Sequence, residues 1–175
     1  EVIRRHCPTH RIVSEETMHG QAAMQDDTPT WYIDPLDGTT NYARGFPIFS
    51  VSVAVAQQGE PQCGVVYHPL LGELFTAVRG RGAYLNGARL TVSGKGELGE
   101  ALVLLDWPRD PALRARSARF MSKLVPLTDA VRSGGSAALS LCYLAAGWAD
   151  IYFQYTLSPW DVAAGMLIAA EAGAT

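Results

Sequence analysis

The chain has 175 residues, 48% hydrophobic and 18% charged, enough to bury the core of about one ordinary domain and too apolar for a disordered segment. A net charge of -3 and a pI near 5.8 exclude a strongly basic surface for nucleic acid or anionic membrane, and no Lys/Arg run departs from that average. Cys7, Cys63 and Cys142 are odd in number, widely spaced and free of any C-x-x-C pair, so neither a disulfide framework nor a zinc knuckle is expected and a reducing cytoplasm fits best.

In chain order, RIVSEET reads either as a solvated helix start running from Ser14 to Thr17 or as a source of acidic ligands in Glu15 and Glu16. Residues 33–42, IDPLDGTTNY, bring a hydrophobic approach to Asp34 and Asp37, then a glycine and two threonines. Pro-x-Asp-Gly is a turn signal, which explains the bend but not the acids. From Phe49 to Ala56 the pattern FSVSVAVA alternates strictly, predicting a strand with one face buried and small polar residues on the other. QQGEP turns the chain. CGVVY, ELFTAV and AYLN/RLTV follow, separated by HPLLG, RGRG and the hairpin dipeptide Asn86-Gly87, so the middle third is expected to be an antiparallel meander.

The period then lengthens. ALVLLDW predicts a strand, PALRARSARFMSKL an amphipathic helix behind Pro111, SAALSLCYLAAGWAD a more buried helix and IYFQY a strand. Pro159 precedes WDVAAGMLIAAEAG, a helix with Asp161 at its start and Gly173 at its end. YLAAGWADIYF is interrupted by Asp150 and is too short to span a bilayer, and no basic segment followed by an apolar one opens the chain, so a soluble protein is expected. These elements predict a single mixed α/β (α+β) domain over residues 1–175. Its abrupt ends, Glu1 without a methionine and EAGAT at a helix terminus, predict that the domain is incomplete on both sides.

Hard divalent cations take carboxylate and carbonyl oxygens, and magnesium in phosphate enzymes uses a few carboxylates plus water and substrate. If Ile33 and Asp34 finish a strand, Pro35 bends the backbone so that Asp37 returns beside Asp34 and the Leu36 carbonyl faces the same ion. Gly38, Thr39 and Thr40 would open a helical turn whose unpaired N–H groups suit an anion. Glu15-Glu16 and Asp161 are further acids, an N-cap being the competing role for Asp161. Other signals are set aside. Pro8 breaks the helix that a zinc site at His6 and His10 would need, and RGRG lacks the third glycine and the following helix of a dinucleotide fingerprint. GGSAA lacks the nucleophile-elbow spacing, and Trp31, Trp107, Trp148 and Trp160 read as core.

VSEE, WYIDPLDGTTNY, GGSAAL and PWDVAAGMLIAAEAG, in that order over nearly the whole chain, resemble the inositol monophosphatase family of magnesium-dependent phosphatases. The resemblance implies a layered α-β-α-β-α sugar-phosphatase fold and hydrolysis of inositol monophosphate, or a similar small phosphorylated alcohol, by two-metal activated water attack. It implies that Glu15, Asp34 and the Leu36 carbonyl hold one Mg2+, that Asp34, Asp37 and Asp161 hold a second, and that the phosphate lies against the Gly38 and Thr39 backbone. Glu15 and the Thr39 hydroxyl would orient the attacking water, making Glu15, Thr39 and Asp37 the catalytic set. Gly135, Ser136 and Ala137 would meet the substrate together with Asp37, Asp161 and Gln154. Ser14 stands where the family commonly has glycine, a departure assigned to the loop. A homodimer and lithium sensitivity are implied as well; nucleic acid and membrane partners are not expected. Fructose-1,6-bisphosphatase or histidinol-phosphatase activity on the same fold, and a non-catalytic binding or regulatory member, remain the alternatives.

Two positions bear on substrate. Thr40-Asn41 is neutral, whereas relatives acting on adenosine 3′,5′-bisphosphate usually carry a basic and an acidic residue there. Gln154 stands where inositol-specific members usually carry glutamate, keeping one acceptor oxygen while losing the charge and gaining donors. A shifted or broadened substrate range is expected. Accordingly, Gln154→Glu should raise turnover on inositol phosphate specifically in steady-state assays; no change would retire the idea.

Overall fold

A computed structural model describes residues 1–16 and 27–175; Thr17 of the acidic motif lies outside the described residues. Helix α1 (Val2–His6) leads to β1 (Arg11–Ser14), which runs parallel to β2 (Thr30–Asp37). Short helix α2 (Thr39–Ala43) follows, then β3 (Ser50–Gln57), β4 (Glu60–His68), β5 (Glu73–Val78), β6 (Ala83–Leu85) and β7 (Ala88–Arg89). Strands β1 to β7 lie in chain order in one seven-stranded sheet, antiparallel from β2 onward, so the expected meander forms. RLTV, expected as a strand, contributes only Arg89. Beyond it Leu90 turns into the core, and the Val92 N–H leaves the sheet to donate to the Ala172 carbonyl at 3.1 Å.

The second half supplies β8 (Leu102–Leu105), α3 (Pro111–Leu124), β9 (Ala130–Arg132), α4 (Ala137–Ala145), β10 (Ile151–Phe153) and α5 (Pro159–Glu171). Helix α3 starts where Asp110 accepts from the Leu113 N–H at 2.8 Å, with Pro111 in the first turn, where its missing donor costs nothing. Strands β10, β8 and β9 form a parallel three-stranded sheet. Helices α4 and α5 pack on each other and on one face of the large sheet, and α4 also meets β10. Across the small sheet, Phe120 of α3 lies 5.0 Å, ring to ring, from Phe153. The described residues therefore stack sheet, helices, sheet, helix, four of the five layers expected.

One face was expected the wrong way round. In β3 the small residues Ser50, Ser52, Ala54 and Ala56 are buried while Val51 is 37% exposed. The reason is the closeness of α5: a Cβ added at Gly64 would lie 3.0 Å from the Ala164 backbone, and the Ser52 hydroxyl donates to the Trp160 carbonyl at 3.3 Å. Only small side chains fit under a helix lying that close, so the valines face outward. Bulk enters the core elsewhere, through Val66, Phe75, Leu139, Leu167 and Ile168. Trp107 and Trp148, expected in the core, are 41% and 50% exposed; Trp148 follows the turn at Gly147 and packs one side only, against Tyr143 and Phe75. His10 accepts from the Trp31 indole at 3.0 Å and His6 Nδ1 bonds the Val2 carbonyl at 3.0 Å. Among the described residues no helix is long and apolar enough to cross a membrane.

Gly165 allows the α4–α5 contact: a Cβ there would lie 2.7 Å from the Leu141 Cβ and 3.3 Å from the Ala138 carbonyl. Gly165→Ala should therefore lower stability by about 1–3 kcal/mol, the usual cost of overpacking, as read from a urea unfolding curve. An unchanged midpoint would mean that the two helices separate freely.

Candidate functional site

The site begins with an irregularity in β2. Asp34 pairs with Ser52 and Asp37 with Ser50, so three steps along β2 match two along β3, and one residue is extra. In a regular strand, residues three apart point to opposite faces. The bulge cancels that alternation, and Asp34 and Asp37 share the face of Ser50 and Ser52. Pro35 tolerates the bulge because it has no N–H to lose from the ladder. The Leu36 N–H donates to Asp34 Oδ1 at 2.9 Å, closing the bend with a side chain. The strand thus does not stop at Asp34 as expected but continues through the bulge to Asp37.

Two further carboxylates come from other elements. The parallel register Ser14–Ile33 sets Glu15 level with Asp34; Ser14, expected in a loop, is the buried last residue of β1. Asp161, the third residue of α5, accepts from the Ser158 N–H at 2.7 Å, which makes Ser158 and not Asp161 the N-cap residue. Glu15, Asp34, Asp37 and Asp161 line one cleft of about 530 Å³, together with Leu36, Gly38, Thr39, Gly135, Ala137 and Gln154. Of the residues considered for the site, Glu16 and Ser136 do not line the cleft; Glu16 is exposed. Ser136 is buried and points at Asp37.

The electrostatics follow from this crowding. Burial pushes Asp34 up to about 7, with Asp37, Asp161 and Glu15 adding repulsion and the Leu36 N–H opposing it. Burial also raises Asp161, to about 6, again with Asp37 and Glu15 contributing. Asp37 is raised by burial and lowered by its donors. Four like-charged oxygen donors facing one cleft form the set that hard divalent cations take, and two such ions would balance their charge. Among the described residues no three of them already enclose an ion-sized point. Asp34, Asp37 and Asp161 are each tied to backbone or hydroxyl donors and Glu15 is exposed, an arrangement consistent with mutual repulsion.

Next to the acids lies a tight turn. Gly38 has φ +94, and a Cβ there would lie 3.0 Å from the Ile48 carbonyl and 3.2 Å from the Gly135 carbonyl, so glycine is required on both counts. Thr39 then opens α2 beside the carboxylates. Asp37 is gripped from the other half of the chain: its Oδ2 accepts from the Ser136 hydroxyl at 2.5 Å and the Ala138 N–H at 2.9 Å, at the start of α4. Ser136 therefore positions a carboxylate. Asn41, read from sequence only as half of a neutral pair bearing on substrate, has a bridging role: its Nδ2 donates to the Ile48 carbonyl at 2.7 Å and the Gly134 carbonyl at 2.8 Å, tying the turn after β2 to the loop before α4. Sequence reasoning missed Asp106, which accepts from the Gly135 N–H at 2.6 Å and the Ser133 hydroxyl at 3.1 Å. Both act across some 30 to 90 residues of sequence, and no local pattern signals them.

The family model for the inositol monophosphatase family matches residues 1–175. The chain belongs to the inositol monophosphatase family. It is 45% identical over 174 residues to Nus factor SuhB of Pasteurella multocida, covering 99% of this chain and 64% of that protein. With inositol monophosphatase 2 of Homo sapiens it shares 43% identity over 175 residues, covering 98% and 61% respectively. A solved inositol monophosphatase from Anabaena superposes with a TM-score of 0.91 at 42% identity, covering 98% of this chain and 68% of that one. The chain thus spans about 64% of the length of the curated relatives it matches. Family membership agrees with the layered α/β fold and with the resemblance carried by the acidic motifs.

The raised acids fix a pH dependence. In the folded chain Asp34 and Asp161 keep protons that the unfolded chain releases near 4, so their contribution favours folding below that pH and is lost as pH rises to about 7. In chelator, melting temperature should fall over this window, and Asp34→Asn should flatten the fall. Saturating magnesium at neutral pH should raise the melting temperature by binding the native state. A flat chelator profile and no response to metal would count against the clustered site.

Proposed function

We propose that the chain carries the site of a magnesium-dependent phosphomonoesterase that hydrolyses inositol monophosphate or a similar small phosphorylated alcohol. The observation that carries this reading is the convergence of Glu15, Asp34, Asp37 and Asp161, from three different elements, on one cleft beside the Gly38 turn. Glu15, Asp34, Asp37, Asp161 and the Leu36 carbonyl would hold the metal. Bound there, it would supply charge to polarise the phosphate and to stabilise the attacking and leaving oxygens.

The rest falls to the chain's own groups. Backbone N–H groups in the first turn of α2 have no acceptor within the helix and suit the phosphate oxygens, which Gly38 lets approach the backbone closely. Thr39 and Glu15 line the same cleft, the hydroxyl orienting the incoming water and the carboxylate accepting its proton. Glu15 is exposed, so that proton passes to solvent between turnovers. In-line attack then forms the new P–O bond as the ester P–O bond breaks, and the departing alkoxide is protonated to the alcohol. Asp37 stays aimed because Ser136 and the start of α4 hold it. A homodimer in the cytoplasm completes the reading. The second reading is a non-catalytic binding or regulatory member of the same fold, and some relatives carry the name Nus factor SuhB rather than that of a phosphatase.

The deciding experiment is phosphate release from myo-inositol 1-phosphate with and without magnesium. Release that needs magnesium, and falls by roughly 10²–10³-fold in Asp37→Asn, is the expected result, the scale of losing one charge-placing group at a reacting centre. Silence here and on fructose 1,6-bisphosphate and histidinol phosphate would favour the non-catalytic reading.

A further inference from the structure

The acids occupy only part of the cleft. The segment between β8 and the first turns of α3 lines it too, and it brings two cations, Arg109 and Arg114. Among the described residues neither guanidinium has a hydrogen-bond or acidic partner, unlike Arg79, paired with Glu60 at 2.7 Å, Arg116, over the Tyr155 ring, and Arg132, which donates to the Val131 carbonyl. Asp110, between them in sequence, returns one negative charge, but its carboxylate is engaged with the Leu113 N–H. Among the described residues no ion pair joins either guanidinium to Glu15, Asp34, Asp37 or Asp161. The two guanidinium groups are left for something else in the cleft.

Gln154 lines the same cleft. Its Oε1 accepts from the Tyr152 hydroxyl at 2.5 Å, which leaves its Nε2 donors uncommitted among the described residues. A glutamate at this position would repel an anion; the amide offers donors and no charge. The one cleft is thus lined by acids suited to cations that take a phosphate and also by two unpaired guanidinium groups and a neutral donor. Arginine's planar fork matches phosphate and carboxylate oxygens, so these two side chains also suit an anion.

We propose that Arg109 and Arg114 form a second anion subsite, and that the substrate is a small phosphorylated alcohol bearing a second anionic group, a bisphosphate in the simplest case. The inference rests on the phosphatase reading above and narrows its substrate class. The scissile phosphate lies at the acids, the second anion lies between the arginines, and Gln154 donates to it or to a neighbouring hydroxyl.

The test compares esters that differ only in the second anion: fructose 1-phosphate with fructose 1,6-bisphosphate, and inositol 1-phosphate with inositol 1,4-bisphosphate, in initial-rate assays with magnesium. For at least one pair the bisphosphate should have a kcat/KM about tenfold higher, chiefly through KM, and added salt should narrow the gap. Arg109→Gln and Arg114→Gln should each cut that ratio by about tenfold, with Arg→Lys at the same positions retaining part of it. A ratio at or below one in both pairs, or one that ignores both Gln variants, would overturn the subsite while leaving the phosphatase reading in place. Hydrolysis of none of the four esters would overturn that reading and this proposal with it.

Discussion

Gathering like charges in a half-dry cleft is the constraint on which the rest of this structure depends. Four carboxylates facing one cleft repel each other, and burial raises that cost. The fold meets it with backbone donors taken from places where regular structure breaks or begins. Asp34 accepts from the bulge at Leu36, Asp37 from the start of α4 and Asp161 from the residue that caps α5. A helix start has spare N–H groups and a bulge frees one, so each acid is held by a donor that the fold would otherwise leave unpaired.

Asp37 also joins the two halves of the domain. It ends a strand of the large sheet, yet its bonds run to residues about a hundred positions later, and Asn41 repeats the link from α2 to Gly134. Between these ties the Gly38 backbone lies so close to the Ile48 and Gly135 carbonyls that it has no room for a Cβ, and a Cβ at Gly135 would lie 2.7 Å from the Asn41 side chain. The cleft is therefore framed by backbone pinned to backbone, which preorganises the turn at Gly38 before any ligand arrives.

How much of this was legible in the sequence depended on how local the cause was. β5 and α3 form at the boundaries read from their patterns, because alternation, a proline in the first helical turn and an aspartate cap are signals carried by adjacent residues. β1 and β9 are too short for a period to register. The face of β3 was misread because alternation alone assigns bulk to the interior, whereas α5 lies so near that only serine and alanine fit. All four acids were legible as types at suggestive spacings. The shared face of Asp34 and Asp37 depends on a bulge, and the roles of Ser136, Asn41 and Asp106 depend on contacts that local sequence does not encode.

The segment W-D-x-A-A-G-x(5)-E-A-G shows how a motif can encode placement more than chemistry. Of its residues only Trp160 and Asp161 line the cleft. Ala164 and Gly165 are small because α5 lies against β4 on one side and α4 on the other. Glu171, at the far end, accepts from the Gly80 and Gly82 N–H groups at 2.7 Å each, clamping the turn between β5 and β6 to the helix terminus; those donors hold its carboxyl below the usual range. The helix is thus seated by contact along its length and by a carboxylate clamp at its end. That seating determines where its third residue points: a displaced α5 would carry Asp161 away from Asp34 and Asp37. The small residues and the distant glutamate act on the site only by keeping one carboxylate beside two others, which accounts for a motif far longer than the chemistry it serves.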